Sequence, residues 1–199
     1  MKLYRGYGVL KRLRKGIRIY IYPTLRCTLN CDYCSNLFFD GKRPTSHEIE
    51  WKEWMNIINT FPVKVREVVL SGGEPMLYGN YVELADAIVS SGRFLTVYTN
   101  LTLTKGLDVK PSIRMRLDAS FHESVNNKLF FNNLKEYRKK FRVDTNEIEK
   151  KEIKGSVVKN KLHTADDMEE CLNRRKQGFS PDGKYCNSLR EVYDHCSQR

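Results

Sequence analysis

The sequence predicts an α/β fold, a partial and open (β/α) barrel of about five or six parallel strands. Three observations predict it. Short β-branched and aromatic runs alternate with amphipathic helical stretches through most of the chain, the pattern left by parallel strands with crossover helices. Each of the first four runs leads into a polar or glycine-rich motif, as expected where a ligand sits beyond the carboxyl ends of the strands. At 199 residues the chain is also too short for a complete eight-fold barrel, which needs about 250.

Residues 17–22, closed by Pro23, read as the first strand, and a cysteine-bearing loop follows directly. Pro44 and Thr45 introduce a helix: Thr45 with Glu48 forms a capping box, and Ile49, Trp54, Ile57, Ile58 and Phe61 recur near helical spacing until Pro62. Residues 65–70 are the next strand, running into Ser71, Gly72, Gly73, Glu74 and Pro75. Asn80 and Glu83 cap a second helix carrying Val82, Leu84, Ala85, Ile88 and Val89, with Gly92 at the left-handed position beyond its end. Residues 94–98 form a third strand ending at Thr99 and Asn100, and residues 113–119 a fourth ending at Ser120, Phe121 and His122. A helix follows over residues 129–141. The highly charged residues 142–154 receive no element; a fifth strand is expected at 155–158, then a helix capped by Thr164 and Asp167.

Hydrophobic residues at 40% and charged residues at 30% fall in the soluble globular range, and no apolar run is long enough for a membrane span. A cytoplasmic location without a membrane partner is therefore expected. Lys11, Arg12, Arg14 and Lys15 interrupt the opening apolar residues, so no signal-peptide core follows the first charges. Residues 1–16 read as a basic N-terminal extension and residues 17–199 as a single domain. The net charge of +11 is concentrated at the start, where Lys2, Arg5, Lys11, Arg12, Arg14, Lys15 and Arg18 all precede the first acidic residue, Asp32. Such a surplus suits an anionic partner (phosphate, nucleotide or nucleic acid) and equally a solvated, solubilising terminus. No aromatic-basic nucleic-acid motif accompanies it.

Six cysteines in a chain with no export signal point to metal ligands or catalytic thiols rather than disulfides. Cys27, Cys31 and Cys34 stand as Cys-Thr-Leu-Asn-Cys-Asp-Tyr-Cys. Three thiolates on one loop can ligate three irons of a four-iron cluster and leave the fourth iron open, the mark of a catalytic metal site. Arg26 and the loop amides can favour the charged cluster. The same spacing alone also fits part of a zinc site completed by Cys171, Cys186, Cys196 or a histidine.

The cysteine loop, with Tyr33 before its last cysteine, resembles that of the radical S-adenosylmethionine superfamily. Gly72, Gly73, Glu74 and Pro75 match that family's Gly-Gly-Glu-Pro run, and Thr99 and Asn100 extend the resemblance, although Leu101 stands where the family often has Gly. The resemblance implies a [4Fe-4S] cluster whose open iron chelates the methionine end of S-adenosyl-L-methionine, and an electron that cleaves the sulfonium to a 5′-deoxyadenosyl radical. It also implies an electron donor such as flavodoxin or ferredoxin. With Gly-Gly-Glu-Pro at the next strand end, the cluster is favoured over zinc. The glycines permit close backbone approach, and Glu74 offers an acceptor for an ammonium group.

His122 is a candidate proton donor or acceptor, or a polar strand end; Asp118 and Ser120 are candidates for holding ribose or substrate. Cys171, beside Met168 and Leu172 at helical spacing, reads as a core thiol. Cys186 follows Ser180, Pro181, Asp182, Gly183, Lys184 and Tyr185, a turn like that before an auxiliary-cluster cysteine, but the spacing is short and the remaining cysteines of that set are missing. The expected substrate is a nucleotide-related small molecule or a nucleic acid. The alternatives are a glycyl-radical-enzyme activating protein acting on a partner protein, and a zinc-stabilised nucleic-acid-binding protein.

Overall fold

Strands accumulate on one side of the sheet in chain order. The structure, a computed structural model, describes residues 16–31, 47–122, 125–148, 158–160, 178–180 and 182–186. β1 (Ile17–Thr24), β2 (Val65–Gly72), β3 (Phe94–Thr99), β4 (Met115–His122), β5 (Arg142–Ile148) and β6 (Val158–Asn160) are neighbours in that order, every pair parallel. On the free side of β1 lies β7 (Gly178–Phe179), parallel to it, and then β8 (Tyr185–Cys186), antiparallel to β7. Helices α1 (Trp51–Thr60), α2 (Tyr81–Ser90) and α3 (Asn127–Arg138) form the crossovers β1–β2, β2–β3 and β4–β5. The sheet runs from β6 to β8 without closing, so the expected open α/β architecture is borne out.

Alternation along the strands sorts the two faces. Ile19, Ile21, Val68, Leu70, Leu95, Val97, Met115, Leu117 and Ala119 are buried in one core with Trp54, Ile58, Leu84, Ile88, Phe130, Leu134 and Tyr137 of the helices. Each such side chain taken from water contributes roughly 1.5–3 kcal/mol, so this layer holds the helices on the sheet. The alternate positions on the other face are mostly polar and partly exposed: Arg18 and Tyr20 on β1, Tyr98 on β3, and Arg116, Asp118 and Ser120 on β4.

Several boundaries differ from the sequence expectation. β5 occupies residues of the charged stretch left without an element; Arg142, Asp144 and Asn146 take the polar face, while Val143 packs against the core. Of the strand expected at 155–158, only Val158 is described, as the first residue of β6. Glu48 does not cap α1. That helix starts at Trp51, the Glu53 carboxylate accepts from the Glu50 backbone N–H at 3.2 Å, and Glu48 is drawn to Arg26. α3 starts earlier than expected because Asn126 caps it, its side chain accepting from the Leu129 N–H at 3.1 Å. Gly92 ends α2 with φ of +82° as anticipated. The turn before Cys186 is a β7–β8 hairpin whose Phe179 and Tyr185 rings pack with Phe61. Thr45, Thr164 and Asp167 lie outside the described residues.

Candidate active site

The motifs predicted to converge do so at the carboxyl end of the sheet. The Gly73 N–H donates to the Thr24 carbonyl at 3.1 Å and the Glu74 N–H to the Arg26 carbonyl at 2.8 Å, so the turn after β2 is zipped to the cysteine loop after β1. Glycine is required there: a Cβ on Gly73 would stand 2.0 Å from the Arg26 carbonyl oxygen, and Gly72 has φ of +110°. The close backbone approach read from the Gly-Gly pair is thus made to the cysteine loop itself. The Arg26 guanidinium pairs with Glu48 through two 2.9 Å bonds and donates to the Leu77 carbonyl at 2.8 Å.

Glu74, read from the sequence as an acceptor for an ammonium group, is fully buried at the end of the turn after β2. Oε1 accepts from the Met76 N–H at 3.2 Å and from the Thr99 hydroxyl at 3.0 Å; Oε2 accepts from the Asn100 N–H at 2.8 Å. Burial pushes its pKa up to about 7, against the pull of the Asn100, Met76 and Thr99 donors. The carboxyl group fastens the end of β3 to the turn after β2. Pro75 is buried as the first residue of the 3₁₀ turn Pro75–Leu77.

Asn100, so placed, reaches the cysteine loop. Its Nδ2 donates to Cys27 Sγ at 3.5 Å and to Thr28 Oγ1 at 3.0 Å, and its Oδ1 accepts from the Thr102 N–H at 3.0 Å. Cys31 is buried, with Sγ 3.7 Å from His122 Nδ1 at the end of β4. Burial lowers the His122 pKa, which disfavours the imidazolium. Two sulfurs on one strand-end loop, each beside a nitrogen from another strand, suit an iron–sulfur cluster held by thiolates with outer hydrogen bonds. Cys27 and Cys31 would supply two ligands. Cys34 and Tyr33 lie outside the described residues, as do Cys171 and Cys196.

Asp118 and Ser120 are on the same polar face of β4 as His122. Asn146 of β5 donates to Asp118, whose pKa is raised chiefly by burial. The sequence reading missed Thr28, Thr102 and Asn146. The signal for Asn146 was the polar alternation of Arg142, Asp144 and Asn146, which matches that of Arg116, Asp118 and Ser120 on the neighbouring strand. Cys186 sits at the sheet edge, its thiol directed to the Lys184 carbonyl at 3.6 Å.

A family model described as the Radical SAM superfamily matches residues 21–148, more than half of the chain. The chain belongs to the radical SAM superfamily. A probable GTP 3′,8-cyclase of Methanopyrus kandleri is 30% identical over 108 residues, covering 50% of this chain and 34% of that protein. A PqqA peptide cyclase of Ruegeria pomeroyi is 38% identical over 98 residues, 48% of this chain and 23% of that one. The matched parts thus span about a third or less of these relatives. Streptococcus suis SuiB, solved with its precursor peptide SuiA, superposes with a TM-score of 0.55 at 20% identity, covering 76% of this chain and 38% of SuiB. That likeness establishes the radical SAM partial-barrel fold. Among the described residues no helix is long and apolar enough to cross a membrane.

Proposed function

We propose that this chain is a radical SAM enzyme in which Cys27, Cys31 and Cys34 hold a [4Fe-4S] cluster and the surrounding strand ends hold S-adenosyl-L-methionine. The observation that carries the reading is the pairing of Cys27 Sγ with Asn100 and of Cys31 Sγ with His122, which sets the cysteine loop among three strand ends. When bound, the cluster and cofactor supply a 5′-deoxyadenosyl radical for hydrogen abstraction, with an electron from a donor of the flavodoxin or ferredoxin kind. The residues described here do the positioning. Gly72 and Gly73 set the loop, Glu74 and Thr99 fix Asn100, and Asn100 and His122 direct hydrogen bonds to ligand sulfurs. Hydrogen bonds to cluster sulfurs raise the reduction potential, so these two side chains tune electron uptake. Asp118 and Ser120 line the concave face where ribose or substrate would lie.

The preferred substrate is a small nucleotide-related molecule, supported by the basic surplus and the likeness to a GTP cyclase. A peptide is the second reading, favoured by the peptide-cyclase relatives. The deciding experiment is anaerobic reconstitution followed by reduction in the presence of S-adenosyl-L-methionine, with 5′-deoxyadenosine measured by mass spectrometry. Parent protein forms it; Cys27→Ala, Cys31→Ala and Cys34→Ala do not, whereas Cys171→Ala does. Product from the Cys31→Ala protein, or purified protein that carries zinc and takes up no iron, overturns the assignment.

A further inference from the structure

At the end of the sheet opposite the cysteines, five arginines that the site above does not use surround one cavity of about 520 Å³. Arg18 comes from β1, Arg66 from β2, Arg114 from the turn before β4, Arg116 from β4 and Arg142 from β5, with Phe94 of β3 between them. We propose that this cavity binds an oligophosphate chain of the kind carried by a nucleoside di- or triphosphate.

The charges are incompletely compensated. Glu67 lies 2.9 Å from Arg18 and 3.7 Å from Arg116; Asp144 lies 4.0 Å from Arg116 and 3.4 Å from Arg142. Among the described residues, Arg66 and Arg114 have no carboxylate within ion-pair distance, and both guanidiniums rest over the Phe94 ring, 5.5 and 5.4 Å from its centroid. Arg66 and Arg114, which stand outside these ion pairs, therefore leave positive charge around the hollow that Glu67 and Asp144 do not neutralise. Like charges brought this close repel one another, and an anion that bridges them relieves the repulsion.

The arginines are also held in place before any ligand arrives. Glu67 and the Thr96 hydroxyl, which accepts from Arg116 Nε at 3.0 Å, fix two of them, and Phe94 fixes two more. Preorganised guanidiniums match phosphate oxygens in pairs, as lysine ammoniums do not. The volume lies within the roughly 300–1,000 Å³ usual for small-molecule sites. A single-stranded nucleic acid fits less well, because the exposed aromatic on which a base would stack is already occupied by two guanidiniums. From Arg116 the polar face of β4 continues through Asp118 to Ser120, about 13 Å at the rise of a strand. That stretch leads from the cavity to the strand end that carries His122.

The test is calorimetric titration of the reconstituted full chain with inorganic triphosphate at low salt. Saturable binding of one triphosphate per chain is expected, weakened at least about tenfold in Arg66→Gln/Arg114→Gln through loss of charge-assisted hydrogen bonds. Lys128→Gln/Lys135→Gln on α3 should bind as the parent does. Both arginines are exposed, and a single Arg114→Gln shifts affinity the same way should the double variant fail to fold. Unchanged affinity in the arginine variants, an equal loss in the α3 variant, or sulfate binding as tightly at equal ionic strength overturns the proposal. So does a single-stranded oligonucleotide that binds through these arginines and is not displaced by triphosphate. Because neither probe nor readout involves the cluster, failure of the cluster assignment leaves this result standing.

Discussion

Leu101 is the residue at which this chain departs from its family's usual sequence, and its backbone explains the usual glycine. Its φ is +53°, in the left-handed region, while its side chain is fully buried and its carbonyl accepts from Asn133 Nδ2 at 2.7 Å. The strain of roughly 1–2 kcal/mol is outweighed by burial of a leucine, whose truncation to alanine costs about 2.7–5 kcal/mol. Two substitutions separate the effects. Leu101→Gly should destabilise by roughly 1–4 kcal/mol, and Leu101→Ala, which loses the packing but keeps the strain, should be less stable still. Urea denaturation of the pair checks the order. Glu74 gives a pH-dependent expectation. Its folded pKa of about 7 lies above the ordinary carboxylate value of 4.5, so the folded state binds the extra proton. Stability from this group is therefore fully present below pH 4.5 and declines as the pH rises toward 7, by up to about 3 kcal/mol. Melting curves between pH 5 and 8 should show that slope in the parent and a flatter profile in Glu74→Gln.

Among the elements, the turn after β2 and the cysteine loop behave as one unit. Gly73→Ala would put a Cβ against two backbone carbonyls, 2.0 Å from Arg26 and 2.6 Å from Leu25, so the cysteine loop must move. The helical circular dichroism should be retained while bound iron after reconstitution falls to a small fraction of the parent's. Gly79→Ala is the control, since nothing stands within 4 Å of its Cβ position. A variant that retains full iron at position 73 would show that the loop adapts at little cost. The helix starts and β5 show where element-level reading fails. A capping box at Thr45 and Glu48 was plausible locally, but Arg26 captures Glu48 from 22 residues away. β5 receives no element from its sequence because it is so highly charged; beside β4 those charges become the lining of a polar face, a fact about the neighbour rather than the strand.

For the molecule as a whole, the Cys186 hairpin bears on how many clusters the chain holds. Gly183 packs against Ile49 and Ile57, and Phe179 and Tyr185 against Phe61, so the turn closes the sheet edge over α1. Reconstituted protein should accordingly hold close to four irons per chain, and Cys186→Ser should retain them; iron near eight in the parent, halved in Cys186→Ser, would place a second cluster at this edge. What the sequence determined by itself was the alternation of strands and helices, the open barrel, the convergence of motifs at strand ends and the three-cysteine loop, because each follows from spacing within a short segment. Tertiary structure alone decided what the motif side chains touch. Glu74 ties its own turn to the end of β3 since Thr99 and Asn100 meet it there beside the Met76 N–H; Asn100 and His122 reach the sulfurs since β3 and β4 end beside the loop. The arginines at positions 18, 66, 114, 116 and 142 share one cavity for the same reason: parallel strands in register bring their starting residues together, and no local pattern records that meeting.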